Sequence, residues 1–226
     1  MVRKLPVALF CFLMITLVTN ADTVSGLTSR TGTDSVGWSQ LGSCATVVPS
    51  GFTATSVDGV GVTGTFSGGG SGQVRTQTSC GWAGNFASGD VALWTTANGP
   101  LTLTFNQGTA GGGAQIESNF IGGFTAQICD NLGDCFTESG NSHTSMGDNT
   151  ALFIGLQDTS GADITSLTFS LTSCSQTCNV NDFAINELSL IPGSAISTPE
   201  PGPLMLVGSG LLGLGCLQRR RRTQQV

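Results

Sequence analysis

Few side chains in this sequence are suited to acid–base or nucleophilic catalysis. His143 is the only histidine, and it lies in GNSHTSMGDN, a composition typical of a loop. A Ser-His-Asp or Cys-His site would have to use this residue, yet no Gly-x-Ser-x-Gly motif accompanies it. We therefore interpret His143 as a solvated loop residue and predict no catalytic residue.

A pair of carboxylates could hydrolyse glycosides, one acting as the acid and the other as base or nucleophile. The candidates are Asp90, Glu117, Glu138, Asp182 and Glu187. Glutamates on the strands of an acidic surface are common, so the spacing of these residues does not favour catalysis. We predict that the protein is not an enzyme and keep a secreted hydrolase as the third alternative.

Two further groups of residues could bind a ligand. Asp158 and Asp163 enclose the turn DTSGAD, whose carboxylate and backbone oxygens could hold Ca²⁺. The turn lacks the EF-hand spacing and also fits a type I turn with glycine. Trp82 lies between glycines in SCGWAGN, outside a clear strand, and we predict an exposed indole that could stack on a sugar ring. Trp38 and Trp94 fit strands and are predicted to lie in the core.

The N-terminal segment predicts export. Arg3 and Lys4 precede an apolar run at residues 5–18, and small residues follow up to Ala21. This order is typical of a secretory signal peptide, which we assign as a helix at residues 1–21.

The charge of the remaining chain excludes one class of partner. Of the chain's 226 residues, 22–198 contain only Arg30 and Arg75 as basic side chains, against thirteen acidic ones, a net charge of −11. Nucleic-acid binding needs basic side chains to displace counterions, so we predict no nucleic-acid partner.

Six cysteines lie behind the signal peptide, and an even number in an exported chain indicates disulfides. Cys129 and Cys135 enclose DNLGD, and Cys174 and Cys178 enclose SQT, so we pair each of them locally. This leaves Cys44 with Cys80. A zinc site is the alternative, but neither short spacing is the two-residue spacing usual in structural zinc sites.

Period-two alternation predicts a β-rich body at residues 22–192. Apolar residues alternate with Thr or Ser at 101–105 and 167–171, as in half-buried strands, and no helical periodicity occurs between residues 22 and 192. SGGGSG, ANGP, GTAGGG and DTSGAD are interpreted as turns. Further strands are predicted at 36–41, 51–57, 61–66, 91–96, 114–120, 124–129, 151–157 and 183–191. About ten short strands favour an antiparallel, jelly-roll-like β-sandwich.

The C-terminal tail has three parts. A linker at residues 193–202 contains Pro199, Glu200 and Pro201, where fixed φ angles hold the chain extended. Residues 203–217 are apolar or small, and a transmembrane helix is predicted at residues 203–218. The tail at residues 219–226 begins with Arg219, Arg220, Arg221 and Arg222, which we assign as a cytoplasmic stop-transfer signal.

This order of Pro-Glu-Pro, glycine-rich apolar stretch and arginine cluster resembles the PEP-CTERM sorting signal of Gram-negative bacteria that make exopolysaccharide. The resemblance covers about 25 residues. It implies recognition by an exosortase, a membrane protease-transpeptidase, near Pro199, Glu200 and Pro201. The body would then be released or transferred to an envelope component.

The body resembles the β-rich ectodomains found with such tails and jelly-roll carbohydrate-binding modules. The stretches that carry this resemblance are ALFIGLQDTSGADITSLTFSLTSC and NDFAINELSL. In such modules a structural calcium ligand often precedes the last strand, which implies this role for Asp182, with Asp34 or Asp58 as its partner. Calcium is the one cofactor that we consider.

Together these features predict a protein exported through the inner membrane and transiently anchored with its body outside. It would then reach the cell envelope or extracellular matrix. We expect a non-enzymatic structural or interaction role there. A carbohydrate-binding module of the exopolysaccharide matrix is the alternative.

Overall fold

The computed structural model describes residues 23–143, 147–175 and 178–193. Within these ranges the chain forms fifteen β-strands and one short 3-10 turn, Trp38–Leu41, and no α-helix. The strands are β1 (Val24–Leu27), β2 (Asp34–Val36), β3 (Val47–Pro49), β4 (Phe52–Thr55), β5 (Gly61–Phe66), β6 (Ser71–Gln77), β7 (Gly81–Trp82), β8 (Val91–Trp94), β9 (Leu101–Ser118), β10 (Gly122–Asp130), β11 (Cys135–Ser142), β12 (Leu152–Asp158), β13 (Ile164–Cys174), β14 (Phe183–Ile185) and β15 (Leu188–Pro192).

Several sequence predictions concern segments that lie outside these residues. They are the signal helix at 1–21, the Pro-Glu-Pro motif, the transmembrane helix at 203–218 and the arginine cluster. In the part of the chain that the structure describes, no helix has the length and apolar character needed to cross a membrane.

The long strand β9 organises the fold. Its first half pairs with β5 on one side and β13 on the other. Its second half pairs with β12 on one side and with β14 and β15 on the other. The main strand order is β11-β10-β13-β9-β14-β8-β6-β3, and among the described strands only β6 and β7 pair in parallel. The predicted all-β, antiparallel class is therefore confirmed, while the jelly-roll connectivity stays a prediction.

The segment GTAGGG is not a turn, so that sequence prediction is wrong. Gly111, Gly112 and Gly113 lie inside β9, between the backbones of β12 and β15. A Cβ atom at Gly113 would lie 2.5 Å from the carbonyl oxygen of Ile154, and one at Gly112 would lie 2.8 Å from that of Ser189. Glycine is needed here because the neighbouring strands approach too closely for a side chain.

The main core lies between the alternating apolar faces of the strands. Leu101 and Leu103 of β9 and Leu167 and Phe169 of β13 are fully buried in it. Trp38 is also fully buried, as predicted, although it lies in the 3-10 turn rather than in a strand. Alternation of the kind seen in β9 and β13 buries one face of a strand, so the sequence located these parts of the core correctly.

A second, smaller core forms where segments 81–90 and 147–151 pack against strands. Its buried members are Trp82, Phe86, Ala92, Ala151 and Ala184, and the half-buried Trp94 packs against them. The backbone amide of Ala151 donates to the carbonyl of Asn85 at 3.0 Å, which joins the two segments. This small core positions the candidate site.

Three disulfides cross-link the described body, and they are the three predicted pairs. Cys44–Cys80 closes a sequence separation of 36 residues, while Cys129–Cys135 and Cys174–Cys178 close separations of 6 and 4. Cys129 and Cys135 are direct partners across the β10–β11 hairpin.

Candidate functional site

A buried glutamate lies near the end of β9. Ile116 points into the main core, so Glu117 points to the opposite face of the strand, where segment 81–90 covers it. The side chain is 0% exposed. The indole Nε1 of Trp82 donates to Oε2 at 2.8 Å, and the backbone amide of Asn85 donates to Oε1 at 2.7 Å. Each carboxylate oxygen therefore has one protein donor.

Burial raises the pKa of Glu117 above its ordinary value, because the charged form loses water. The hydrogen bonds from Trp82 and Asn85 and the nearby His143 oppose this effect, and the negative charge of Asp148 adds to it. The net direction is upward, so desolvation outweighs the donors. A buried carboxylate with a raised pKa beside a cavity is a candidate functional group.

A cavity of about 250 Å³ adjoins this carboxylate. Its lining residues are Gly81, Trp82, Ala83, Gly84, Glu117, Ser118, Asn119, Phe120, Ile121, Ser142 and His143. A Cβ atom at Gly84 would collide with the carboxylate of Glu117, so glycine leaves room for the carboxylate in its present position. The Oγ atom of Ser142 is buried and has no hydrogen-bond partner among the described residues.

The structure places His143 differently from the prediction of a solvated loop residue. Its side chain is half-buried in the wall of the cavity, and its Nε2 lies 3.2 Å from Oγ1 of Thr150. The hydroxyl of Thr150 donates to Oδ1 of Asp148 at 2.7 Å. Because a hydroxyl has one proton, Nε2 of His143 must be the donor to Thr150 and does not act as its base.

The exposure predicted for Trp82 is wrong. Its side chain is 5% exposed, and its ring packs against Phe86 and Trp94 at centroid distances of 6.1 and 6.3 Å. The glycines around it let the chain approach Glu117 closely and do not form an open loop. A sugar ring therefore has no free indole face at Trp82 on which to stack. Trp94, predicted to lie in the core, is half-buried, and the guanidinium of Arg75 lies 4.9 Å above its ring.

A larger groove of about 540 Å³ has mostly polar walls. Nδ2 of Asn186 donates to Oδ2 of Asp90 at 3.0 Å and to Oε1 of Gln115 at 2.6 Å. Arg30 and Glu187 form an ion pair at 3.3 Å, with side chains that are 45% and 41% exposed. Such exposure makes the pair a weak contributor to stability, so its charges are available to a ligand.

Segment 147–151 lines the groove and contacts His143 in the wall of the cavity. Oδ1 of Asn149 accepts from Nε2 of Gln115 at 3.1 Å on the groove side. Oγ1 of Thr150 accepts from Nδ2 of Asn85 at 3.3 Å on the cavity side. An isolated bridge between Ala87 and Asp148 also holds this segment against segment 81–90.

The five carboxylates considered for glycoside hydrolysis do not gather at one place. Asp90 and Glu187 line the groove, where the first is bonded by Asn186 and the second by Arg30. Glu117 lines the cavity, and Glu138 lies on β11. Asp182 accepts from the indole of Trp94 at 2.6 Å and from Nδ2 of Asn119 at 2.9 Å. Asp90 and Glu187 therefore share the groove, and the other three carboxylates lie elsewhere.

The aspartates considered for calcium are not brought together either. Oδ1 of Asp158 accepts from the backbone amide of Ser160 at 2.6 Å and closes its turn. Oδ1 of Asp34 accepts from the backbone amide of Asp58 at 3.0 Å. Asp182 bonds to Trp94 and Asn119, and Asp163 is exposed. Within the described ranges, no group of three or more His, Cys, Asp or Glu residues is placed to hold a metal ion.

Sequence reasoning did not identify Asn85, Ser142 or Thr150 as site residues. They lie in segments with turn or loop composition, and their partners are distant along the chain: Asn85 contacts Glu117 across 32 residues and the backbone of His143 across 58. The one local signal is the Gly-Trp-Ala-Gly stretch, since glycines on both sides of a tryptophan favour close backbone approach.

Comparison with known proteins identifies a motif in the C-terminal tail. The sequence model of the PEP-CTERM protein-sorting motif matches residues 197–222. No curated protein and no solved structure matches the chain. The described all-β body, with its three disulfides, fits an ectodomain attached to such a tail. The chain thus carries a PEP-CTERM protein-sorting motif, which implies a secreted protein that an exosortase processes and sorts to the cell envelope.

Proposed function

We propose that the protein is a non-enzymatic structural or interaction protein of the cell envelope or extracellular matrix. The observation that carries this proposal is the sorting motif at residues 197–222 attached to a disulfide-linked all-β body. Disulfides persist in oxidising compartments, which agrees with a body that works outside the cytoplasm. The jelly-roll-like connectivity of the sandwich is part of this proposal.

The route to the envelope includes a transient membrane step. The segment 203–218, apolar or small up to Leu217, spans the membrane in this proposal. Arg219, Arg220, Arg221 and Arg222 hold the tail in the cytoplasm. The body then lies outside until the exosortase acts near Pro199, Glu200 and Pro201. Such a step keeps the body at the membrane only until processing.

Two contacts support a role without catalysis. The hydroxyl of Thr150 donates its hydrogen bond to Asp148. His143 therefore does not accept the proton of this hydroxyl, as activation of Thr150 as a nucleophile would require. The carboxylate of Glu187 pairs with Arg30, which opposes its use as a general base. A secreted hydrolase is the weaker alternative for these reasons.

Carbohydrate binding is the second candidate function, and the groove favours it. Carboxylate and amide side chains such as Asp90, Gln115 and Asn149 are the partners that sugar hydroxyls need, and Phe153 adds an aromatic wall. The exopolysaccharide of the matrix is the corresponding partner. The groove replaces Trp82 as the proposed place of contact.

The test uses the exported protein purified from the envelope of a host that makes exopolysaccharide. The purified protein is mixed with that polysaccharide, and co-sedimentation and polymer length are measured together. We expect co-sedimentation without any shortening of the polymer. Shortening of the polymer by the native protein that is lost when the protein is denatured would contradict the non-enzymatic role.

Groove variants separate carbohydrate binding from a purely structural role. Asn149→Ala and Glu187→Ala change exposed or half-exposed groove residues, and Glu138→Ala is the matched control on β11. We expect the two groove variants to lose co-sedimentation and the control to keep it. If all three variants bind as the wild type does, the groove is not the carbohydrate site.

A further inference from the structure

The Glu117 cavity combines an acidic base with an apolar rim. Glu117 and Ser142 are buried members of its lining, whereas Phe120 and Ile121, which we call its rim, are 40% and 67% exposed. Exposed large apolar side chains beside a cavity that contains a buried carboxylate mark a surface that a ligand can cover. The cavity is separate from the groove considered for carbohydrate.

We propose that this cavity binds the primary ammonium group of a small ligand, with the carboxylate of Glu117 as its counter-ion and the hydroxyl of Ser142 as a second acceptor. The ligand's carbon skeleton contacts Phe120 and Ile121. Both acceptors are buried in the free protein, so binding requires side-chain movement at the cavity.

The available acceptors match an ammonium group. A carboxylate has about four lone-pair sites, and Glu117 uses two of them, for Trp82 and the backbone amide of Asn85. The buried Oγ of Ser142 has no partner among the described residues, although buried polar groups are nearly always bonded. An ammonium has three donors and no acceptor, so it matches a carboxylate that has unused lone-pair sites and a hydroxyl that lacks a donor.

The charges around the cavity also favour a cation. Neither basic residue of the described chain is in the lining of the cavity, since Arg30 pairs with Glu187 at the groove and the guanidinium of Arg75 lies over the ring of Trp94. His143 and Asp148 are the titratable neighbours of Glu117, and they act in opposite directions on its pKa. A bound cation offsets the cost of burying the ionised carboxylate.

The size of the cavity limits the ligand. About 250 Å³ is slightly below the range of roughly 300–1,000 Å³ for drug-sized ligands, so a single ring or a short alkyl chain fits. An amino sugar and a short alkylamine present the same ammonium group. Phe120 and Ile121 can contact the carbon atoms of either ligand.

The experiment is calorimetric titration of the exported, disulfide-bonded protein near neutral pH. The probes are glucosamine and n-butylamine, and the neutral controls are glucose and n-butanol. We expect saturable binding of at least one amine and binding about tenfold or more weaker for its neutral control. Binding of glucosamine alone identifies an amino sugar, and binding of butylamine alone identifies an alkylamine. Failure of both amines to bind overturns the proposal.

Variants test the assigned residues. Glu117→Gln keeps the side-chain size and should weaken amine binding about tenfold or more, and Ser142→Ala should weaken it several-fold. Glu138→Gln lies outside the cavity on β11 and should bind as the wild type does. Cooperative thermal unfolding of each variant shows that the fold is intact. Unchanged amine affinity in folded Glu117→Gln overturns the proposal, whatever the outcome of the polysaccharide experiment.

Discussion

The indole nitrogen of Trp82 and the carboxylate of Glu117, 35 residues apart, form a buried hydrogen bond of 2.8 Å. This bond joins β7 to β9 and fixes the wall of the cavity. It also explains why an indole in a glycine-rich stretch is buried: the ring packs on Phe86 and Trp94 while its polar nitrogen has a charged partner.

Glu117 should make stability depend on pH. Its pKa is raised in the folded state above the ordinary value of 4.5, so ionisation costs more free energy when the protein is folded than when it is unfolded. The contribution of Glu117 to stability is therefore fully present below the unfolded pKa and is lost as pH rises through the folded pKa. His143 and Asp148 are the charged neighbours that modify this window.

Urea unfolding of wild type and Glu117→Gln from about pH 4 to about pH 8 measures this contribution. The free energy of unfolding of the wild type, minus that of the variant, should decrease as pH rises. Glu138→Gln is the control for a carboxylate on another strand. If the difference in free energy of unfolding between wild type and Glu117→Gln does not change with pH, burial does not raise the pKa of Glu117.

Gly113→Ala should destabilise the fold, because the new Cβ atom would lie 2.5 Å from the carbonyl oxygen of Ile154. Overpacking of this kind typically costs about 1–3 kcal/mol. Gly123→Ala is the matched control within β10, where the nearest atom to the new Cβ is 3.9 Å away. Denaturant unfolding should show a loss only for Gly113→Ala, and equal stabilities would contradict the close packing of β9 between β12 and β15.

Strands with clean alternation could be predicted from the sequence, and the glycine-rich part of β9 could not. Segment 61–66 matches β5 because Val62 and Phe66 alternate with threonines and face the core. Glycine normally weakens a strand, so 108–113 resembled a turn. Residues 108–113 belong to β9 because β12 pairs with this part of the strand on one side and β15 pairs with it on the other. Both partner strands are distant in the sequence, so a local pattern does not predict these contacts.

The candidate site was harder to predict for a similar reason. In AQIES, Ile116 alternates with Gln115 and Glu117, which indicates an exposed carboxylate. Segments 81–90 and 147–151 cover the face of β9 that carries Glu117. No periodic pattern in the sequence predicts this contact. The disulfides could be paired because the spacings within two of the pairs are short, and the third pair followed from the remaining cysteines.

The three disulfides should differ in their effect on stability. In the chain-entropy account, closing the 36-residue separation of Cys44–Cys80 contributes about 4 kcal/mol, and each of the short separations contributes about 2 kcal/mol. Paired Cys→Ser variants, compared by denaturant unfolding, measure this. A larger loss on removing Cys129–Cys135 than on removing Cys44–Cys80 would contradict this order.

Asp182 should be a structural residue that does not depend on calcium. Asp182→Ala removes the acceptor of both Trp94 and Asn119, and hydrogen bonds to a charged group are worth about 1.5–3 kcal/mol each. We expect a clear loss of stability, whereas Asp163→Ala, at an exposed position, should have little effect. The melting temperature of the wild type should not change with calcium or a chelator; a rise with calcium would restore the calcium hypothesis.

The roles of the two parts of the tail should be separable. A charged residue at the centre of a membrane helix costs about 2.5–3.5 kcal/mol, so four arginines oppose translocation of the tail. Replacing Arg219, Arg220, Arg221 and Arg222 by serine should let the uncut chain pass to the outside. Cell fractionation measures this, and continued membrane retention of the serine variant would show that the arginines do not set topology.

The most direct test of the account is the intact mass of the exported protein in a host with an exosortase. The wild-type mass should correspond to loss of the signal peptide and to cleavage near Pro199, Glu200 and Pro201, within the region that matches the sorting motif. The triple variant Pro199→Ala, Glu200→Ala, Pro201→Ala should keep residues 203–226, because its apolar segment and arginines are intact. If the triple variant is cut as fast as the wild type, this tail does not act as a sorting signal.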